Sequence, residues 1–134
     1  MDRVADFLLD VDLPVVFRPF HENTGAFFWW GTKSSTPAQY KAAWNYTTDY
    51  IVKTRHVHNL LLAYAPSKPG QTAASWELAY GSGPGSTYPG DDRVDIPCFV
   101  STPTIHIALL LIRASFQAQT NRLTSLPERV LCVP

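Results

Sequence analysis

The feature that most constrains the fold is an apolar segment, residues 14–20, that runs directly into ionisable and aromatic side chains. Apart from Arg18 this segment is continuously apolar, which is the pattern of a strand covered on both faces, as in a parallel sheet. His21 and Glu22 follow it, and residues 27–30 are four aromatic side chains in a row. Parallel α/β folds present reactive side chains at the carboxyl ends of their strands in this way. The sequence therefore predicts an α/β fold and marks Glu22 as the candidate catalytic residue.

Length and charge limit the classes of function that need consideration. The 134 residues are the size of one ordinary domain, and 11 basic side chains balance 11 acidic ones. A balanced charge provides no field that favours nucleic acid or an anionic membrane surface. The longest apolar run, residues 105–112, is much shorter than the ~20 residues of a membrane-spanning helix. We therefore expect neither a nucleic-acid partner nor membrane insertion.

The two cysteines, Cys98 and Cys132, do not form the pattern of a metal site or a disulfide framework. They are not spaced as CxxC, and neither has a histidine at metal-ligand spacing. The glycine-rich residues 81–86 have no lysine after them and no strand before them, so they are predicted to form an exposed loop rather than a phosphate-binding one. We expect no metal and no cofactor.

The clearest helix signal follows the aromatic residues. Thr36 can cap a helix, Pro37 suits its first position, and Gln39 completes a Thr-x-x-Gln capping box. Apolar and small side chains then repeat at helical spacing on one face: Tyr40, Ala43, Trp44, Thr47, Tyr50 and Ile51. The spacing predicts a helix over residues 37–54, with Tyr40 and Trp44 in the core.

The other segments up to residue 96 continue an alternation of helix and strand. Residues 2–10 carry apolar side chains at helical spacing: Val4, Phe7 and Leu8. Residues 57–66 predict a second buried strand, and residues 76–80 a turn of helix. Residues 88–96 predict a tight turn that leads into a third strand. Because a strand–helix–strand connection is normally right-handed, the first two strands are expected to be parallel.

The character of the sequence changes at residue 97. Residues 97–134 contain no Gly, Asp, Lys, Tyr or Trp and only four charged side chains. The first 96 residues contain all seven glycines and ten of the eleven acidic residues. The change falls where a strand should continue, so we divide the chain into residues 1–96 and a divergent or out-of-frame tail over residues 97–134. The alternative for the tail is a helix around residues 104–118.

Four motifs occur in a fixed order between residues 10 and 96. They are Arg-Pro-Phe-His-Glu-Asn-Thr-Gly with Phe-Trp-Trp-Gly (residues 18–31), Tyr-Lys-x-x-Trp (40–44), His-Asn-Leu-Leu-x-Ala-Tyr (58–64) and Tyr-Pro-Gly-Asp-Asp-x-Val-Asp (88–95). Together they resemble glycoside hydrolase family 26, whose best-known members are β-mannanases. The resemblance implies a (β/α)8 barrel, of which this chain would contain roughly the fourth to sixth βα units.

The resemblance also implies an activity and roles for individual residues. The activity would be endo-acting hydrolysis of β-1,4-mannosidic linkages in mannan, galactomannan or glucomannan by a retaining double displacement. By position, Glu22 would be the general acid/base, and His21 would contact the sugar at the cleaved linkage. Phe27 stands where the family usually has a sugar-stacking Trp, and Trp30 is a further candidate for substrate binding, although Trp29 and Trp30 equally suit loop packing. Chemistry agrees with the role of Glu22, since a carboxylic acid must protonate the leaving oxygen and later accept a proton from water.

Departures from the family pattern concern the second carboxylate. The family continues after the third strand with Gly-Phe-Asp-x-Tyr, and this chain has Val100 and Thr102 in the places of the Asp and the Tyr. The nucleophile would belong to the end of a seventh strand, and the acid in the tail is Glu128. A retaining glycosidase needs two carboxyl groups about 5 to 5.5 Å apart. We therefore expect a partial catalytic barrel that is inactive by itself.

Two alternatives stand beside a mannanase. A relative acting on β-1,3-xylan or mixed-linkage glucan is left open by Phe27, and a non-catalytic mannan-binding protein would keep the aromatic cleft without hydrolysis. The expected ligand is β-mannan or its oligosaccharides. Because such a polymer cannot cross a membrane, the parent enzyme is expected to be extracellular or at the cell surface, although residues 1–10 lack the pattern of a signal peptide.

Overall fold

The computed structural model describes residues 1–11 and 13–100, and the backbone of residues 131–133. In chain order the elements are α1 (Asp2–Asp10), β1 (Val15–Phe17), α2 (Pro37–Asp49), a π-helical turn (Tyr50–Thr54), β2 (Leu60–Tyr64), α3 (Ala73–Tyr80), β3 (Ile96–Pro97) and β4 (Leu131–Val133). The alternative helix around residues 104–118, together with Thr102 and Glu128, lies outside the described residues.

The strands form one parallel sheet in the order β3-β2-β1-β4. Val15 pairs with Leu60 and Phe17 with Leu62, in parallel register. The prediction that the first two strands are parallel is confirmed. The carboxyl ends of β1 and β2 therefore point the same way, and the residues that follow Phe17 lie beside those that follow Tyr64.

The predicted strands are shorter in the structure. The first, predicted over residues 14–20, ends at Phe17, because Pro19 has no backbone N–H for a ladder and Phe20 adopts a φ of 52°. The third contains only Ile96–Pro97, but pairing continues irregularly, with Cys98 N–H donating to the Tyr64 carbonyl at 2.9 Å. The strands of this sheet are therefore short, and β2, the longest of those described, has five residues.

Helix α2 begins as predicted. The Gln39 backbone N–H donates to Thr36 Oγ1 at 3.3 Å, and the Thr36 N–H donates to Gln39 Oε1 at 2.9 Å, which completes the capping box. The α-helix ends at Asp49 and continues to Thr54 as the π-helical turn, so the predicted span holds with a change of hydrogen-bond pattern. Tyr40 and Trp44 are buried, as predicted.

The buried face of α1 differs from the predicted one. Ala5 and Leu8 are buried and pack against Val15, whereas Val4 and Phe7 are exposed. Ala5 and Leu8 are three residues apart and so share one helix face. That face is the one turned towards β1. Of the three predicted apolar positions, Leu8 lies on this face, whereas Val4 and Phe7 do not.

Helix α3 was underestimated by the sequence patterns. It spans Ala73–Tyr80, and Thr72 Oγ1 accepts a hydrogen bond from the Ser75 N–H at 3.3 Å at its start. The loop predicted to be exposed over residues 81–86 is only partly so, because Ser86 is buried and donates to the Leu78 carbonyl. This loop therefore packs back on α3.

Two hydrophobic clusters form the core. One joins α1, β1 and the π-helical turn through Ala5, Leu8, Val15, Phe17, Ile51 and Val57. The other is aromatic and surrounds Tyr40, Trp44 and Tyr64, with Phe20, Trp30, Tyr80 and Tyr88 packed against it. The aromatic cluster lies at the carboxyl end of β2, so it supports the loop that leaves β1. None of the helices in the described ranges has the length and apolar character needed to cross a bilayer.

Candidate active site

The candidate site is the loop of residues 18–36 between β1 and α2. Its first residues turn sharply, since Phe20 and Glu22 have φ values of 52° and 54° in the left-handed region. Non-glycine residues rarely adopt this conformation. The Glu22 backbone N–H donates to the Ala65 carbonyl, just beyond β2, at 2.7 Å. This bond fixes Glu22 at the carboxyl edge of the sheet, where the sequence placed it.

The segment after β2 also contacts the other side of this turn. The Glu22 carbonyl accepts the Gly25 N–H at 2.9 Å, and the Ser67 hydroxyl lies 3.5 Å from the same oxygen. The Thr24 hydroxyl donates to the Ser67 carbonyl at 3.4 Å. Ala65 and Ser67 were not predicted to take part in the site. Their position directly after a buried parallel strand is the signal that indicates such a role.

The far end of the loop folds back onto its beginning. The Thr32 N–H donates to the Asn23 carbonyl at 3.0 Å. A Cβ added to Gly31 would lie 2.3 Å from the Gly25 carbonyl oxygen, so no larger residue fits there without backbone movement. This close approach explains the glycine at position 31. It also brings together the two ends of the segment that contains the four aromatic residues.

Trp30 is held in place by the loop itself. Its ring stacks on Phe28 with centroids 4.5 Å apart and an interplanar angle of 8°. Its Nε1 donates to the His21 carbonyl at 2.8 Å, and Phe20 packs edge-on at 5.8 Å. Trp30 is therefore engaged in packing, and the predicted contact with substrate would involve only the part of its ring that remains accessible.

Two other aromatic rings face solvent. Phe27 is 72% exposed and Trp29 is 68% exposed. Phe27 contacts Phe28 edge-on with centroids 5.7 Å apart, and Trp29 contacts Phe20 edge-on at 6.0 Å. Large exposed rings with fixed neighbours provide an apolar surface on which a flat ligand can pack. This surface lies in the same loop as Glu22.

His21 lies between the charged and the aromatic parts of the site. Burial lowers the pKa of the His21 imidazole below its usual value of 6.5, and the Arg18 guanidinium lowers it further, while the Glu22 carboxylate opposes them. Its ring contacts Phe28 edge-on at 5.0 Å. Among the residues that the structure describes, Arg18 forms no ion pair. At neutral pH His21 is a neutral imidazole, with one nitrogen to donate and one to accept a hydrogen bond.

The Glu22 carboxyl group is available to a ligand. It is half-buried, and within residues 1–11 and 13–100 no hydrogen bond or ion pair involves its oxygens. Other carboxylates have structural partners: Asp95 Oδ2 accepts the Leu62 N–H at 2.8 Å, and Asp49 Oδ1 pairs with Arg93 at 2.6 Å. The site therefore combines one free carboxyl group, a neutral imidazole and exposed aromatic rings, which suits proton transfer to a bound ligand.

Known proteins share both the sequence and the geometry of this region. Residues 1–102 match the sequence profile of Glycosyl hydrolase family 26. The chain belongs to glycosyl hydrolase family 26. Its parallel sheet is part of the α/β architecture of that family of (β/α)8 barrels.

Relatives in this family include enzymes named as mannanases. The chain is 40% identical over 84 residues to a mannan endo-1,4-beta-mannosidase of Bifidobacterium adolescentis, covering 63% of this chain and 8% of that protein. It is 32% identical over 105 residues to mannan endo-1,4-beta-mannosidase A and B of Caldalkalibacillus mannanilyticus, covering 72% of this chain and 18% of that protein.

Solved structures of the family superpose on most of this chain. The catalytic domain of an endo-beta-1,4-mannanase from Bacillus sp. JAMB-750 matches with a TM-score of 0.64 at 36% identity, covering 73% of this chain and 25% of that one. A beta-mannanase from Bacteroides ovatus matches with a TM-score of 0.61 at 40% identity, covering 73% of this chain and 28% of that one. The chain thus spans about a quarter of these catalytic structures.

Proposed function

We propose that this chain carries the acid/base half of a retaining endo-β-1,4-mannanase acting on mannan, galactomannan or glucomannan. The observation that supports this most directly is the position of Glu22, whose backbone N–H donates to the Ala65 carbonyl at the carboxyl edge of the sheet and whose carboxyl group pairs with none of the described residues. The names of the relatives support the substrate class. In the barrel of the parent enzyme, we assign the chain roughly to the fourth to sixth βα units.

The proposed chemistry uses the side chains of the loop. Glu22 protonates the glycosidic oxygen as the bond breaks, and it accepts a proton from the water that releases the glycosyl-enzyme. Neutral His21 hydrogen-bonds a sugar hydroxyl at the cleaved linkage. Phe27 and Trp30 are the proposed substrate-binding rings. The exposure of Phe27 supports its role, whereas the stacking of Trp30 on Phe28 leaves less of its ring for substrate.

The second carboxylate of a double displacement is proposed to come from a later strand of the parent enzyme. The chain by itself is then inactive, because no glycosyl-enzyme can form. The compositional change supports the division into a catalytic part, residues 1–96, and a divergent or out-of-frame tail, residues 97–134. Mannan is a polymer outside the cell, so the parent enzyme is proposed to act in the extracellular space or at the cell surface.

The role of Glu22 is tested in a chimera that supplies the rest of the barrel. Residues 1–96 replace the matching segment of the Bacteroides ovatus beta-mannanase, and kcat/KM is measured on mannan and on an aryl manno-oligosaccharide. Glu22→Gln should lower mannan hydrolysis by about 10²- to 10⁴-fold, because a general acid contributes that much. With the aryl substrate, kcat/KM should fall far less, because its leaving group needs no proton in the glycosylation step.

A matched control is Glu77→Gln, which makes the same chemical change on the exposed surface of α3 and should leave both rates unchanged. Equal losses on the two substrates would contradict an acid role for Glu22. The nucleotide sequence past residue 96 tests the tail separately: another reading frame should restore Gly-Phe-Asp-x-Tyr and a later strand that ends in Glu. Direct release of manno-oligosaccharides by the unmodified chain would contradict its inactivity.

A non-catalytic mannan-binding protein is the second candidate, and the exposure of Phe27 and Trp29 favours it. Calorimetric titration of the chain with mannohexaose measures this directly. Trp29→Ala should abolish the heat of binding, whereas Trp76→Ala, on α3, should not. A substrate panel on the chimera addresses specificity, since dominant hydrolysis of β-1,3-xylan or mixed-linkage glucan would replace mannan as the substrate.

A further inference from the structure

Two histidines lie side by side where the chain enters β2, away from the loop that carries Glu22. The ring centroids of His56 and His58 are 6.5 Å apart, and the ring planes differ by 29°. Both side chains are exposed. Within the described ranges no three or more His, Cys, Asp or Glu side chains cluster as metal ligands, so the two imidazoles are the ligands that these residues supply here.

The backbone around the two histidines is fixed. Val57, between them, is buried, and its N–H donates to the Ile51 carbonyl at 3.2 Å. His56 has a φ of 56°, which turns the chain between the π-helical turn and β2. On the other side, Asn59 Nδ2 donates to the Val11 carbonyl at 2.7 Å. The two imidazoles are therefore attached to a backbone that hydrogen bonds hold in place. A ligand that bridges them does not have to order a loop first.

The local charge also permits a cation. Arg55 precedes the pair, but its guanidinium forms ion pairs with Asp2 at 2.8 Å and with Asp6 at 2.5 Å. These two carboxylates offset the positive charge nearest to His56. The ion pairs therefore reduce the repulsion between Arg55 and a divalent cation bound to the two imidazoles.

We propose that His56 and His58 form a bidentate surface site for a borderline divalent cation of the Cu²⁺, Ni²⁺ or Zn²⁺ type. Imidazole nitrogen suits these metals. Metal–nitrogen bonds of about 2.1 Å in a cis arrangement bring the ring centroids to roughly 5 Å. The observed separation of 6.5 Å requires the exposed rings to close by only about 1.5 Å, with water in the remaining positions. The expectation of no metal rested on the cysteines, and the His-x-His pattern is a different signal.

The test is calorimetric titration of the intact chain with NiCl₂, and separately with CuCl₂, in a buffer that does not bind metal. One site per chain is expected. His56→Gln and His58→Gln should each weaken binding at least about tenfold, because one imidazole alone loses the benefit of the linked second ligand. His21→Gln is the matched control and should bind as the unmodified chain does, because His21 follows the carboxyl end of β1 whereas His56 and His58 precede β2. Circular dichroism verifies that every variant is folded.

Three outcomes would overturn the proposal: no binding to the unmodified chain, binding that survives both substitutions together, or binding that needs only one of the two histidines. Electron paramagnetic resonance of the Cu²⁺ complex provides a second readout. Coupling to two equivalent imidazole nitrogens supports the bidentate site, and coupling to one nitrogen contradicts it. Neither measurement depends on glycosidase activity, so the proposal stands or falls separately from the role of Glu22.

Discussion

The side chain of Asn59 connects three parts of the fold, and its replacement should have a large effect on stability. Its Nδ2 lies 3.1 Å from the Leu8 carbonyl oxygen, 2.7 Å from that of Val11 and 2.8 Å from that of Leu13. These carbonyls belong to the end of α1 and to the turn that enters β1. Asn59 itself directly precedes β2, so one amide group joins the end of α1 and the turn before β1 to the start of β2.

The magnitude follows from the number of bonds. An amide nitrogen has two hydrogens, so Asn59 Nδ2 makes two good hydrogen bonds and shares one of them with a third carbonyl. Each bond contributes about 1 kcal/mol, and a carbonyl left without a partner in the interior costs about 1–3 kcal/mol. Asn59→Ala should therefore lower the free energy of unfolding by about 2–3 kcal/mol. Asn59→Asp should lower it further, because a carboxylate then faces the same carbonyl oxygens.

Urea unfolding measures this change. With an m-value of about 1.5 kcal/mol per molar urea, the midpoint of the Asn59→Ala variant should fall by roughly 1.3 to 2 M. Asn45→Ala is the matched control, because Oδ1 of Asn45 has no hydrogen-bond partner among the described residues and alanine favours the helix. A midpoint for Asn59→Ala that falls no further than that of Asn45→Ala would refute the reasoning.

Three further perturbations have defined outcomes. The pKa of His21 lies below 6.5 in the folded chain, so the free energy of unfolding should fall as the pH drops below that value. His21→Gln should reduce this fall, measured as urea midpoints, and an unchanged pH dependence would contradict the prediction. Burial raises the pKa of Tyr64 to about 12, so the folded chain should lose stability from about pH 10 to 12. Tyr64→Phe, which removes the bond to Thr87 at 2.8 Å, should reduce that loss in urea unfolding without abolishing it, because burial also raises the pKa of Tyr40, Tyr80 and Tyr88. The same variant should cost about 1–2 kcal/mol at neutral pH. Trp44→Ala should cost about 3–5 kcal/mol in thermal or urea unfolding, whereas Tyr46→Ala, at an exposed position of the same helix, should change little.

The parts of the fold that the sequence predicted well depend on local signals. The start of α2 follows from Thr36, Pro37 and Gln39, which are adjacent in the chain and need no distant partner. Helix α3 lacks such a pattern at its start, because Ser75 rather than Glu or Gln stands three residues after Thr72. Its end is held from a distance, since the Tyr80 hydroxyl donates to the Cys98 carbonyl at 2.6 Å. Contacts of this kind cannot be inferred from short-range spacing.

In the candidate site, too, some features follow from local sequence and others depend on distant contacts. The location of Glu22 follows from the apolar strand before it, but its left-handed backbone depends on Ala65, which lies in a different βα unit. Sequence also could not decide between adjacent rings: Trp29 faces solvent, whereas Trp30 stacks on Phe28. Which ring is free to meet a sugar is determined by the folding back of the loop, and that depends on the close approach of two glycines.

The backbone at Glu22 indicates how much of the site two strands can build. A left-handed residue with a side chain costs about 1–2 kcal/mol, and Gly or Asn would occupy φ 54° with less strain. The hydrogen bond to Ala65 at 2.7 Å offsets part of this cost, and it exists only because β1 and β2 are parallel and in register. Two neighbouring strands therefore suffice to fix the backbone that carries the proposed acid/base carboxyl group. Under the proposed mechanism the second carboxylate of a retaining site must lie about 5 to 5.5 Å from Glu22. We therefore expect activity to require closure of the barrel by later strands rather than any change within this loop.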